Sequence, residues 1–420
     1  MRAQSFGSVI IALFLGVTGL AASARATDLP PLRSSQPPFF TADVSVSVDS
    51  SARSTASVTL TVPYAELSWT KLAGDSYRSG VGIVVEFEPR DRGRLFGDSW
   101  ERRLLIEGYA ATHSSRNNLV VTRAFAVPPG RYHVRVRVRD LGSEQESGAD
   151  DQFQVADLSR VPVGFADLAL GVLDTLGAFT VLPTRAFGYN SGQIAAQATL
   201  FDRRPGPWPR QALFHYRILG ETGDPVQVGD TLVTLAASAM PVLVRPVKAG
   251  DLFLGGYTFE LELVEGKSRW RTSRSFEVDE SGPPRGKAFE QMLEALSYIA
   301  ESHEIDGMRN LPADQQAAAW ERFWRRRDPT PDTPRNEFQL EFFRRLRYSE
   351  QHFQGFGPGW RSDMGRIYIR YGPPDQVEQQ PASSTSYPLE LWYYNQPYRR
   401  YIFEDREGFG RFTLRQPSSE

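Results

Sequence analysis

Cysteine does not occur anywhere in this 420-residue sequence. Its absence excludes disulfide bonds, thiolate nucleophiles and a lipid attached to cysteine. The net charge is also small, at a formal value of −2. The chain therefore has no overall electrostatic field that would attract an anionic polymer or membrane. The composition therefore predicts no nucleic-acid partner.

Long apolar runs are missing after the first 26 residues. The stretch from 161 to 182 carries Asp167 and Asp174, and the stretch from 231 to 247 is short and contains Pro241. Spanning a bilayer takes about 20 consecutive apolar residues. Neither stretch is predicted to do so.

Spacings that mark catalytic or metal sites are absent as well. The five histidines are scattered, without a His-Glu-x-x-His pair, and no loop alternates the oxygen ligands that calcium requires. There is no Gly-x-Ser-x-Gly elbow and no phosphate-binding loop. Carboxylates such as Glu390 or Asp405 beside Trp392 are too common in a chain of this size to indicate a glycosidase. We predict no catalytic residue, no metal and no cofactor.

The first 26 residues have the pattern of a signal peptide. Arg2 precedes an apolar run from Val9 to Leu20, and small residues follow, ending Ala24-Arg25-Ala26, as a cleavage site requires. We expect an exported protein, periplasmic or extracellular, with no transmembrane anchor after cleavage. Residues 27–38 are expected to be a flexible N-terminal segment.

Two β-rich blocks follow, over 39–157 and 158–280. Both contain short segments in which apolar and polar residues alternate, separated by turn residues, which is typical of strands with one buried face. The blocks end alike: PPGRYHVRVRVRD then DQFQVAD in the first, and LGGYTFELELVEG then RSFEVDE in the second. Tyr132 and Tyr257 occupy equivalent places, each suited to a corner tyrosine whose hydroxyl returns to the backbone. We predict two tandem immunoglobulin-like β-sandwiches.

After residue 280 the spacing of apolar residues changes from every second residue to the helical repeat. Apolar residues at helical spacing predict a helical connector over 281–354, with aromatic stripes that include Trp320, Trp324 and Phe343. Residues 355–420 return to strand patterns, among them GRIYIRYG, PLELWYY and RRYIFED. The prediction is a small α+β domain in which the helices pack on an antiparallel sheet. The fold class is therefore mainly β with an α+β C-terminus.

Three stretches near the C-terminus carry a family resemblance: FWRRRDPTPDTPRNEFQLEFFRRLRYSEQHF, GWRSDMGRIYIRYGPPD and LELWYY…YIFED…GFGRFTL. From about residue 316 onward they resemble the bacterial GWxTD-domain proteins, named for a Gly-Trp-x-Thr-Asp motif. The resemblance implies an exported protein without an assigned reaction. Ser362 replaces the motif threonine and keeps its hydroxyl, whereas Met364 stands where a basic residue is expected, which weakens an anion-binding role for this corner.

The motif has two interpretations. In the functional one, a strand places Arg366, Tyr368 and Arg370 on one face, where two guanidiniums clamp an anion. In the structural one, Asp363 caps a turn and Trp360 fills the core; the structural interpretation is favoured, and burial of Trp392 is favoured over an exposed recognition patch. The candidate binding residues are Gly359, Trp360, Ser362, Asp363, Arg366, Tyr368, Arg370, Asp375 and Trp392.

The leading functional hypothesis is a non-catalytic protein of the cell envelope with a structural or interaction role. Its expected partner is an envelope protein or glycan. The alternative is a hydrolase or transferase that acts on an envelope polymer through the corner from Trp360 to Asp375.

Overall fold

The computed structural model describes residues 28–91, 93–113, 117–174, 176–189, 191, 193–236, 239–331, 336–353, 357–383 and 386–415. The signal peptide predicted for residues 1–26 lies outside this range. The fold is mainly β, with several antiparallel sheets followed by helices and a last small sheet. Within the described residues, no helix is both long and apolar enough to cross a lipid bilayer.

In its described residues, the first β unit contains nine strands, one short α-helix and a 3-10 turn at Tyr64–Glu66. Its two sheets have the strand orders β1-β2-β3-β7 and β4-β5-β8-β9, and β6 pairs with β5. The elements are β1 Leu32–Arg33, β2 Thr41–Val48, β3 Ser54–Pro63, β4 Thr70–Lys71, β5 Ser76–Pro89, β6 Phe96–Glu107, α1 Tyr109–Thr112, β7 Asn118–Ala126, β8 Gly130–Asp140 and β9 Glu146–Val155.

The core of this unit forms from the apolar residues that alternate with polar ones along its strands. Val44 and Val58 from the first sheet belong to the same buried cluster as Ile83 and Val136 from the second, because successive side chains of a strand point to opposite faces. In the segment over 27–38, for which flexibility is expected, the described residues 28–38 are partly buried. Leu29 and Leu32 are buried in the cluster, and β1 pairs with β2, since their apolar side chains would otherwise face water.

The second β unit repeats the two-sheet arrangement, with the orders β11-β10-β13-β16 and β12-β18-β17-β14-β15. The β12–β18 pair is parallel. The strands are β10 Val163–Leu173, β11 Phe179–Val181, β12 Ala186–Gly188, β13 Gln193–Asp202, β14 Arg210–Leu219, β15 Pro225–Leu235, β16 Ala239–Lys248, β17 Gly255–Glu265 and β18 Ser268–Asp279.

The corner tyrosines predicted from the repeat are present in both units. The Tyr132 hydroxyl donates to the Pro128 carbonyl at 2.7 Å, and the Tyr257 hydroxyl donates to the Phe253 carbonyl at 2.8 Å. Each tyrosine also lies opposite a phenylalanine on the next strand. Both hydroxyls therefore return to the backbone four residues upstream.

Buried charges join the two β units. The Arg274 guanidinium, on β18, donates to Asp43 at 2.7 Å and to Asp167 at 3.0 Å. Arg185 donates to Asp28 at 2.9 Å and also bonds Asp43. Burial raises the pKa of Asp167, and the charge of Arg274 opposes that shift. The first unit supplies Asp28 and Asp43 and the second supplies the rest, so the contact crosses the boundary between them.

The helices extend the core of the second β unit. They are α2 Gly286–Leu296, α3 Ser302–Arg309, α4 Ala313–Arg325, α5 Glu337–His352 and α6 Asp363–Tyr371. Trp320 and Trp324 on α4 pack with Phe343 on α5, in one continuous cluster that also contains Phe259 of β17. The expectation that these aromatic stripes cover the C-terminal sheet is therefore wrong: α2 to α5 belong to the core of the second unit.

The C-terminal sheet is an antiparallel meander packed on α6. Its strands are β19 Gln376–Gln380, β20 Leu389–Asn395, β21 Tyr398–Glu404 and β22 Thr413–Leu414. Met364 and Tyr368 of α6 share a small cluster with Trp392, Tyr394 and Phe403. The sheet face that meets the helix therefore carries Trp392 and Tyr394, in agreement with the burial expected of Trp392.

Candidate functional site

The motif segment forms a 3-10 turn followed by a helix, so the predicted strand GRIYIRYG is wrong. Residues Gly359–Arg361 make the turn, and α6 begins at Asp363. The Ser362 hydroxyl accepts the Gly365 N–H at 2.9 Å and donates to the Gly359 carbonyl at 2.6 Å. The serine is thus the N-cap of α6. It performs the capping role that had been expected of Asp363.

Trp360 lies in the core, with none of its surface exposed. Its ring stacks on Phe253 of the second β unit at a centroid distance of 5.1 Å and lies 6.3 Å from the Tyr298 ring. Its backbone N–H donates to Glu350 of α5 at 3.3 Å. The indole therefore connects the motif to both the helices and the second β unit.

Two glycines of the motif region are required by close backbone contacts. A Cβ on Gly359 would lie 2.2 Å from the Ser349 carbonyl oxygen of α5, and a Cβ on Gly365 would lie 2.2 Å from the Gly359 carbonyl oxygen. Distances this short cannot be accommodated without moving backbone. The turn is consequently pressed between α5 and α6.

The charged motif residues bind to other parts of the protein. One Asp363 oxygen pairs with Arg366, and the other accepts the Leu414 N–H of β22 at 2.7 Å. The Arg361 guanidinium forms two bonds, at 2.9 and 2.6 Å, to the Glu294 carboxylate of α2. This corner therefore ties α6 to the last strand and to the first of the packed helices.

The remaining candidates are spread over the C-terminal unit. Tyr368 is buried and stacks on Tyr348 at 4.5 Å, so it lies away from the exposed Arg366 and Arg370 instead of between them. Asp375 accepts the Asn395 N–H at 2.7 Å, next to the β20–β21 hairpin. Trp392 is buried, and its indole donates to Glu390 at 2.7 Å. The structure does not gather these residues around one ligand position.

A comparison with known protein families identifies the motif. A family model described as GWxTD domain matches residues 262–412. The chain contains a GWxTD domain. The match begins well upstream of residue 316, so it takes in the end of β17, all of β18, the helices α2 to α6 and the strands β19 to β21. A search of curated proteins found no match.

One face of the GWxTD domain carries an open cleft of about 810 Å³, which we call the motif cleft. It is bordered by α5, the turn before α6 and the loop between β21 and β22. Its lining includes Tyr348, His352, Phe353, Pro358, Arg361, Ser362, Asp363, Met364, Glu390, Arg406, Glu407, Arg411, Phe412 and Thr413. The imidazole of His352 stacks on Tyr348 at 3.9 Å, which gives the cleft an aromatic wall.

The ionisable groups around the GWxTD domain are mostly paired. Arg406 bonds Glu404 at 2.7 Å. Burial raises the pKa of Glu350, opposed by the N–H groups of Trp360 and Gly359. Burial also acts against ionisation of Asp405, but the N–H groups of Gly410, Gly408 and Glu407 outweigh it and lower the pKa of that carboxyl. Across the described part of the chain, no group of three or more His, Asp or Glu side chains is arranged to hold a metal ion.

The sequence alone does not indicate which distant residues bond to the motif. Glu294 and Leu414 lie far from it in the chain, and no local pattern indicates that they contact it. The contact of Gly365 with the turn also went unrecognised. The signal for α6, by contrast, was available. Met364, Ile367, Tyr368 and Tyr371 lie at helical spacing directly after a capping serine.

Proposed function

We propose that this chain is an exported, non-catalytic protein of the bacterial cell envelope, in which the GWxTD domain contacts an envelope protein or glycan. In this proposal the motif maintains the fold, and recognition occurs beside it. Cleavage of the signal peptide would leave the protein in the periplasm or outside the cell.

The observation that carries the proposal is the internal use of the motif's polar groups. Both carboxylate oxygens of Asp363 are occupied, by Arg366 and by the Leu414 N–H. Arg361 is held by Glu294. A general acid or base must reach the reacting atom of the substrate, and these groups are engaged with the protein instead. This arrangement supports a structural motif over a catalytic one.

We further propose that the two β units are immunoglobulin-like sandwiches that act as spacers. Each has two sheets sharing one core, and each has a corner tyrosine bonded to the carbonyl four residues upstream, which is a feature of such sandwiches. The buried charges between the units support a fixed relative placement. A spacer with a fixed joint would hold the GWxTD domain away from the start of the mature chain.

The motif cleft is the proposed contact surface. It combines the stacked Tyr348 and His352 rings with charges of both signs, and its border loop carries Phe409, which is 78% exposed. Aromatic rings beside hydrogen-bonding groups suit the recognition of sugar or peptide. The adjoining Arg406 side chain is also exposed.

The test compares two matched double variants. Arg406→Glu with Phe409→Ala changes the loop of the cleft, whereas Arg103→Glu with Leu105→Ala changes an exposed arginine and an exposed apolar residue on β6. Binding to solubilised envelope extract and to purified cell-wall polymer is measured by pull-down and sedimentation. We expect binding by wild type and by the β6 variant, and its loss in the cleft variant.

Two results would count against the proposal. One is that wild-type protein binds no envelope fraction. The other is turnover of an envelope polymer that disappears in Asp363→Asn while the melting temperature stays the same. The second result would establish the hydrolase or transferase alternative.

A further inference from the structure

A second cavity lies on another side of the GWxTD domain, between the segment that links α2 to α3, helix α5 and helix α6. We call it the α5–α6 groove. Its volume is about 450 Å³, and it shares no lining residue with the motif cleft. Most of its wall is apolar, formed by Tyr298, Ile299, Phe338, Phe342 and Ile369. Phe338 is 39% exposed, so the groove presents apolar surface to solvent.

One end of the groove carries two guanidinium groups from different elements. Arg370 of α6 lies over the Tyr371 ring at 5.5 Å, and Arg399 of β21 lies over the same ring at 5.7 Å. Arg370 and Tyr371 also line the groove. The same ring is therefore contacted by two guanidinium groups, one from α6 and one from β21.

These two arginines differ from their neighbours in having no acidic partner. Arg366 is paired with Asp363, and Arg345 is paired with Glu341. Among the residues that the structure describes, no carboxylate lies within ion-pair distance of Arg370 or Arg399. The helix dipole stabilises a positive charge on the last turn of α6, which explains why Arg370 needs no acidic partner. It does not explain the missing acidic partner of Arg399, which lies on a strand.

The acidic side chains that face the groove are bonded to other residues. Glu341 is held by Arg344 and Arg345, and Glu301 forms the capping box of α3. Neither carboxylate forms an ion pair with Arg370 or Arg399.

We propose that the α5–α6 groove binds an aliphatic carboxylate, with the alkyl chain along the apolar wall and the carboxylate between Arg370 and Arg399. Guanidinium groups suit a carboxylate because they donate several hydrogen bonds in a plane. An extended peptide that pairs through its backbone is a poorer fit, because the described lining of the groove comes from helices and the link between α2 and α3. In its linking segment the N–H groups of Tyr298, Ile299 and Ala300 are already bonded. No strand is among the described residues that line the groove, so they offer no sheet edge to pair with a peptide backbone. This site goes beyond the proposed envelope contact and does not depend on it.

The experiment is isothermal titration of the full chain with octanoate. Acetate has the same charged group without the chain, and octyltrimethylammonium has the same chain with the opposite charge. We expect saturable one-site binding of octanoate, much weaker binding of acetate because buried methylenes add affinity, and no binding of the cation. Equal affinity for octanoate and the cation would overturn the proposal, as would failure of octanoate to bind.

Variants then locate the site. Arg370→Gln with Arg399→Gln should weaken octanoate binding by about tenfold or more, and Phe338→Ala should weaken it as well. The matched control is Arg400→Gln, since the next residue on β21 points to the opposite face of the sheet. Melting temperatures check that each variant is folded. Wild-type affinity in the Arg370/Arg399 variant, or an equal loss in Arg400→Gln, would overturn the assignment. Tighter binding of a peptide carboxylate than of octanoate would overturn the aliphatic ligand.

Discussion

Replacement of Trp360 by alanine tests the structural interpretation of the motif most directly. The indole is fully buried and stacks on Phe253. Truncating a buried aromatic residue to alanine costs about 3–5 kcal/mol, and the cost is greatest where the surroundings cannot collapse. Here the surrounding residues belong to a turn of the second β unit and to α5, which are held by other contacts. We therefore expect a loss toward the upper end of that range.

Phenylalanine at this position separates packing from hydrogen bonding. Within the described residues, the indole N–H of Trp360 is buried and has no acceptor. Leaving a buried donor unsatisfied costs about 1–3 kcal/mol, and Trp360→Phe removes that donor while it retains an aromatic ring. The smaller ring loses some packing, so the two effects partly cancel. We expect Trp360→Phe to cost less than about 2 kcal/mol.

Thermal unfolding followed by calorimetry and by near-ultraviolet circular dichroism measures both variants. For a cooperative unit of 150–250 residues, a loss of about 3–5 kcal/mol corresponds to a fall of roughly 6–20 °C in the melting temperature, and we expect Trp360→Ala in the upper part of that interval. An unchanged transition in Trp360→Ala would refute the packing role. If binding of an envelope component were lost at the same time, the tryptophan would be a ligand platform instead.

Three further predictions concern nearby residues. Gly365→Ala should destabilise the protein by about 1–3 kcal/mol or more, because the added Cβ would clash with backbone. Gly307→Ala in α3 should instead stabilise it by about 0.5–1 kcal/mol, because a Cβ there meets nothing within 4 Å. Equal effects of the two substitutions on urea unfolding would contradict this prediction. Ser362→Ala should cost about 0.5–2 kcal/mol while Ser362→Thr, which keeps the cap, costs less, and chemical denaturation that finds the two alike would exclude the capping role. Its two arginine neighbours lower the pKa of Glu341 to about 2 from 4.5, so the stability it adds is complete above pH 4.5 and is lost as the pH falls toward 2. The difference in unfolding free energy between wild type and Glu341→Gln should narrow over that interval, and a constant difference would show that the shift is absent.

The strands of both β units were predictable because each has one buried face. In β8, for example, Val134, Val136 and Val138 are buried while the intervening arginines are not, and this alternation is visible in the sequence. The corner tyrosines were predictable for a similar reason, since the repeated Gly-x-Tyr places them at the start of equivalent strands. Local chemistry determines both features.

Helix α6 was predicted as a strand because its residues satisfy two periods at once. In GRIYIRYG the arginines and tyrosines alternate with isoleucines, yet Met364, Ile367, Tyr368 and Tyr371 also follow the helical period. The N-cap at Ser362 and the apolar contacts with Trp392 and Phe403 favour the helix. The partners of the motif were beyond sequence reasoning altogether, because Glu294 and Leu414 reach it only through the tertiary fold.

The buried charges between the β units bear on how the protein can be divided for experiments. Separating the chain after residue 157 would leave Arg274 and Asp167 in one fragment and Asp43 in the other, so each piece would expose ions whose counter-charges had been removed. A fragment that begins at residue 158 would also lack Asp28, the partner of Arg185. Expression of the GWxTD domain with only the second β unit should therefore yield a less stable protein than the whole chain, and a clone that retains both β units is the better starting material for ligand screening.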